Sequence, residues 1–135
     1  MKKIITLITS VILVACVTTN LFGKNSVKQN SKEVEVVYFH FTQRCTTCQA
    51  IEMVVKSYIE KRVEQDNAPY SFQSINIDKP ESQEFVKAKK IEGQTLLLIC
   101  SDRVIDLTDM AFDNADYHPD ELTKILEKKL TEITL

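Results

Sequence analysis

Along the chain, apolar and polar positions alternate in three rhythms: a short apolar opening, a polar stretch, then β-type segments interleaved with helical periods. Glu33 to Phe41 (EVEVVYFHF) is dense in β-branched and aromatic residues and predicts a largely buried strand. From Cys48 onward, Ile51, Val54, Val55, Tyr58 and Ile59 recur every three or four residues, with Glu52, Lys56, Glu60 and Lys61 on the other face. That spacing predicts an amphipathic helix fading into Glu64 to Pro69, a loop by composition. Tyr70 to Asp78 (YSFQSINID) reads as a second strand, and Pro80 with Glu81 and Glu84 suits the first turn of a second helix reaching about Lys90. The unbroken apolar run Thr95 to Cys100 predicts a central strand buried on both faces. Ser101 and Asp102 then turn the chain into Arg103 to Leu107 as a hairpin. Thr108 to Tyr117 reads as a short helix setting Met110 and Phe112 on the core. Leu122, Ile125, Leu126, Leu130 and Ile133 mark a last helix with Pro119 near its first turn.

The order is thus strand, helix, strand, helix, strand, strand, helix. Strand–helix–strand units imply parallel pairing, and the hairpin adds an antiparallel edge. The expected fold class is α/β: a mixed four-stranded sheet with helices on both faces, in one domain over residues 33–135.

The opening segment carries a different message. Lys2 and Lys3 precede an apolar run from Ile4 to Ala15, too short to span a bilayer core of roughly twenty residues. It ends Leu13-Val14-Ala15-Cys16, which resembles the bacterial lipobox. That resemblance implies a signal peptide over residues 1–15, removed before Cys16, and lipidation of Cys16. Each buried methylene of an acyl chain contributes about 0.8 kcal/mol, so several chains hold a protein to a membrane. An ordinary signal peptide that happens to contain a cysteine, or an uncleaved anchor, are the competing readings. Residues 16–32 are mostly polar and aperiodic, a tether spanning roughly 20–25 Å as a random coil. The expected location is exported and membrane-anchored, facing the periplasm or the cell exterior.

Charge narrows the partners. The formal net charge of −2 leaves no strongly basic face, which argues against nucleic acid. Of the four cysteines, Cys45 and Cys48 form a C-x-x-C pair, while Cys16 and Cys100 stand alone. The pair falls between a buried strand and a helix.

The segment VVYFHFTQRCTTCQAIE resembles the strand–CxxC–helix junction of thioredoxins, and INIDKPESQEFVKAKKIEGQTLLLI is similar to the stretch that follows it in that family. The resemblance covers Glu33 to Leu107, with the last helix matching by pattern, and implies a thioredoxin-like fold acting in thiol–disulfide exchange. Cys45, at the start of the helix, is then the nucleophile. Unpaired amide N–H groups and the helix dipole favour its thiolate, lowering its pKa from about 8.5. Arg44 adds a neighbouring positive charge. Cys48, one turn in, is the resolving residue and the disulfide partner of Cys45. Thr46 and Thr47 tune the pair or cap the helix. Three positions depart from the family. Gln94, next to Thr95, stands where thioredoxins carry a cis-proline; Phe39 replaces a buried acid; Arg44 replaces a tryptophan. No cofactor or metal is implied. The expected partners are exported proteins with cysteines or disulfides and a separate redox partner.

Two other readings of the dithiol compete with exchange. One is a permanent disulfide in a binding module, although a bridge closing so short a loop removes little chain entropy. The other is metal binding, for which only His40, His118 and Cys100 are spare soft ligands. Cys100, roughly 16 Å along its strand from Thr95, reads as a core thiol. His40 reads as a half-exposed strand residue rather than a proton shuttle, His118 as part of the loop before Pro119, and Asp109, Asp113 and Asp116 as a solvated face.

Overall fold

The computed structural model describes residues 32–135, so the expected signal segment, Cys16 and all of the expected tether before Lys32 lie outside the described residues. Nine elements follow from there. β1 (Val34–His40) leads to α1 (Thr46–Asp66) and β2 (Tyr70–Asn76). A single 3-10 turn (Pro80–Ser82) opens into α2 (Gln83–Lys89), and then come β3 (Thr95–Cys100) and β4 (Arg103–Asp106). α3 (Thr108–Asn114) and α4 (Pro119–Thr134) complete the chain.

The strands lie in the order β2-β1-β3-β4. β1 runs parallel to β2, with Val34 opposite Tyr70 and His40 opposite Asn76. β3 is antiparallel to both β1 and β4. This is the mixed four-stranded α/β sheet expected from the pattern, and its arrangement is thioredoxin-like.

Strand alternation divides the interior in two. On one face Val34, Val36, Tyr38, Leu96, Leu98 and Cys100 pack against α1, α3 and α4. On the other, Val37, Phe39, Leu97 and Ile99 meet Ile77 and Val86, with Phe85 and Ile91 at the margin. α1 buries Cys48, Ile51, Val55 and Ile59, a three- and four-residue spacing that keeps one stripe on the sheet. It ends at Asn67, whose left-handed backbone (φ 50°) the short polar side chain tolerates. α4 starts on Pro119 with Asp120 and Glu121 in its first turn, where the helix dipole favours acids, and buries Leu122, Leu126, Leu130 and Ile133. Its C-terminus is closed by Arg103 of β4, whose guanidinium donates to the Ile133 and Glu132 carbonyls at 3.0 and 3.1 Å.

Two expectations are corrected. α3 does form, but Met110 is 42% exposed; the helix turns Ala111 and Ala115 inward, and Phe112 packs at the edge. Small side chains let α3 lie close to the sheet, leaving no room beneath it for a methionine. His40 is buried, because alternation puts it on the α1 face beside Tyr38, with the two rings 5.9 Å apart.

Candidate functional site: the dithiol at the start of α1

The chain leaves β1 at His40 and must reach the first turn of α1 within five residues, so loop 41–45 has to be held from outside. The segment after β2 holds it. The Thr42 N–H donates to Asp78 Oδ2 at 2.6 Å, and Asn76 Nδ2 donates to the Thr42 hydroxyl at 3.0 Å. The Ile77 N–H donates to the His40 carbonyl at 2.8 Å, and the Ser82 hydroxyl donates to the Asn76 carbonyl at 2.6 Å. The Thr42 N–H, then the Thr42 hydroxyl, hold the Asp78 carboxyl below its usual pKa. Pairing of β1 and β2 thereby extends past the strands to fix where Cys45 emerges.

Cys45 is the N-cap of α1. Its backbone is extended (φ −72°, ψ 169°) and its Sγ accepts from the Cys48 N–H at 3.2 Å. The sulfur thus takes the place usually given to a Ser, Thr, Asp or Asn oxygen, meeting one of the orphan amides of the first turn. That is why α1 begins at Thr46, two residues before its apolar period does. Cys45 and Cys48 are joined as a disulfide with Cα atoms 5.1 Å apart. Cys45 is exposed, and Cys48 is fully buried under the helix.

The other residues singled out in the sequence divide into those beside the dithiol and those tied elsewhere. Thr46 is exposed to solvent. The Thr47 hydroxyl donates to Asp116, in the link between α3 and α4. The Arg44 guanidinium is ion-paired with Glu52, both side chains about one-quarter exposed. Gln94 accepts from the buried Tyr38 hydroxyl at 3.3 Å, and Thr95 donates to the Gly93 carbonyl at 3.1 Å. Among the described residues no peptide bond is cis. Burial raises the Tyr38 pKa, against a smaller opposing pull from Arg44. Cys100 is a buried free thiol at the far end of β3.

Glu52, Asp116, Tyr38 and Asp78 join the site without having been singled out for it. Glu52 lies in the second turn of α1, eight residues beyond its partner Arg44. Asp116 carried no signal in the sequence, being 69 positions from its partner. Among the described residues no group of three or more His, Cys, Asp or Glu side chains gathers as a metal site would need. A concavity of about 400 Å³ begins at Glu52 and runs between α1 and the edge strand β2 past Ile59, Tyr70 and Phe72, away from the sulfurs.

No family model matches the chain, and no curated protein does. Solved structures do. The germline-specific thioredoxin Deadhead (Thioredoxin-1) of Drosophila melanogaster is 22% identical, and the match covers 72% of this chain and 81% of that one with a TM-score of 0.48. A malarial protein is 15% identical, with 58% of this chain and 89% of that chain covered and a TM-score of 0.42.

Proposed function

We propose that the protein is an exported, membrane-tethered thiol–disulfide exchange protein, with Cys45 as nucleophile and Cys48 as resolving residue. The observation that carries the reading is the asymmetry of the pair. Cys45 is exposed at the N-terminus of a long helix, while Cys48, one turn in, is fully buried. A thiolate at the first position is favoured by the Cys48 N–H and by the helix dipole, and a thiol at the second is shielded from everything except its neighbour.

The chemistry follows from that placement. With the pair reduced, the Cys45 thiolate attacks one sulfur of a client disulfide. A Cys45–client S–S bond forms, the client bond breaks, and the client's other sulfur leaves as a thiolate that takes a proton. Cys48 then gives up its proton and attacks Cys45, closing the internal disulfide and expelling the client's remaining thiol. Two electrons and two protons pass to the client, and a separate dithiol donor restores the pair. The reverse sequence oxidises a client dithiol. Export and tethering are supported by Lys2, Lys3, the apolar run and Leu13-Val14-Ala15-Cys16.

The test is Cys48→Ser in the full chain, expressed in a bacterial host and fractionated under acid quench. Mixed disulfides should accumulate through Cys45 in the membrane fraction, vanish on reduction and be absent from Cys45→Ser/Cys48→Ser. Absence of any adduct, with a native reduction potential well below about −300 mV, would make the pair a permanent bridge and sink the reading.

A further inference from the structure

Three groups beside Cys45 could stabilise its thiolate: the Arg44 cation, the Thr47 hydroxyl and the amide end of α1. Two of them are already engaged. Glu52 binds the Arg44 guanidinium, and Asp116 accepts the Thr47 hydroxyl, so neither is directed at the sulfur. The Cys48 N–H is the donor that reaches Cys45 Sγ, at 3.2 Å. Both carboxylates also bring negative charge to the helix end where a thiolate would sit. They come from different elements, Glu52 from the second turn of α1 and Asp116 from the α3–α4 link.

Resting on the exchange reading above, we propose that Glu52 and Asp116 are positioning residues that hold back the Cys45 thiolate and poise the dithiol as a reductant of client disulfides. The direction follows from linkage. A dithiol whose reduced form gains little from thiolate stabilisation gives up its electrons more readily, whereas a strongly stabilised thiolate makes an oxidant. Glu52 acts through Arg44, cancelling the cation next in sequence to Cys45. Asp116 acts through Thr47, taking its proton-bearing hydroxyl, and by its own charge. Other titratable groups at this end of the sheet include Tyr38 and His40 on β1, Asp78 after β2, Glu92 before β3, Asp106 at the end of β4, Asp109 in the first turn of α3 and His118 before α4. Tyr38, His40 and Asp78 are tied to Gln94, the Phe41 carbonyl and Thr42 respectively.

The experiment is residue-resolved alkylation of the reduced full chain in detergent, following Cys45 by peptide mass spectrometry as a function of pH. Glu52→Gln frees Arg44, and Asp116→Asn removes a charge while keeping an acceptor for Thr47. Each should lower the Cys45 midpoint by about half a pH unit, raising its alkylation rate below the midpoint about threefold, and should raise the reduction potential. The Asp116→Asn shift should shrink in about 1 M salt, since Asp116 is exposed. Thr47→Val removes the anchor but not the charge and should move the midpoint less than Asp116→Asn does. Midpoints unchanged in both carboxylate variants would overturn the proposal. So would a Thr47→Val shift equal to that of Asp116→Asn, which would make the contact structural. The midpoint is read whether or not the chain turns over a client, so an idle dithiol would defeat the exchange reading without touching this measurement.

Discussion

Leu97 and Leu98 are neighbours in β3 and face opposite halves of the molecule. Leu98 points into the half closed by α1, α3 and α4, in the same buried cluster as Ile51, Val55, Leu122, Leu126 and Leu130, and its exposure is nil. Leu97 points to the half closed by α2 alone, a helix of seven residues, and retains 7% exposure. The dithiol rides on the first half, since Cys48 and Ile51 belong to the helix that covers it. The thin half supplies position instead: Ile77 and Val86 pack beneath the segment whose Asn76 and Asp78 hold the loop before Cys45. One face of the sheet gives the helix of the site its stability, and the other sets where that helix begins.

The comparison can be broken most severely at β3. Leu98→Ala is expected to cost about 3–5 kcal/mol and Leu97→Ala about 2–3, because a cavity walled by three helices relaxes less than one at a margin. Denaturant titration of the two variants checks this, and equal losses would erase the distinction between the faces. Next, Val86→Ala should cost about 1–2 kcal/mol while leaving the alkylation rate of reduced Cys45 at its native value. A large rate change would show that α2 reaches the sulfur chemistry.

The smallest effect is a pH dependence. Hydrogen bonds to the carboxylate hold the Asp78 pKa below the ordinary aspartate value, so folding favours the ionised form. Its contribution is present above that value and is lost as pH falls through the lower folded pKa. Amide exchange at Thr42, corrected for intrinsic rate, should therefore accelerate only in strong acid, and Asp78→Asn should flatten the profile. Acceleration already near neutrality would assign the protection to another group.

Much of this was legible in the pattern and some was not, for identifiable reasons. β3 has the expected bounds because an apolar run flanked by Gly93 and a tight turn admits one reading. The apolar period of α1 begins only at Cys48, yet the helix starts from its cap at Cys45 as the resemblance implied, with a cysteine sulfur as that cap, outside the usual capping types. Its end ran on to Asp66, where an Arg62–Asp66 ion pair one turn apart and the left-handed Asn67 complete the last turn. Cys45 and Cys48 could be placed because their spacing is local. The partners of Arg44 and Thr47 could not, since Glu52 and Asp116 meet them only once loop 41–45 and the α3–α4 link are folded against the start of α1.

The length of α1 has a consequence for distance. At about 1.5 Å per residue its 21 residues span roughly 31 Å. Val34 pairs with Tyr70 just beyond the C-terminal end of that helix, and Cys45 lies at the N-terminal end. The point where residue 32 joins the domain and the exposed sulfur are therefore opposite poles. Under the proposed tethering, a charged lipid surface at the first pole would act on the second across about four Debye lengths at physiological salt, where its potential has decayed to about 2 per cent. The redox midpoint of the dithiol should accordingly be the same on anionic and on zwitterionic bilayers.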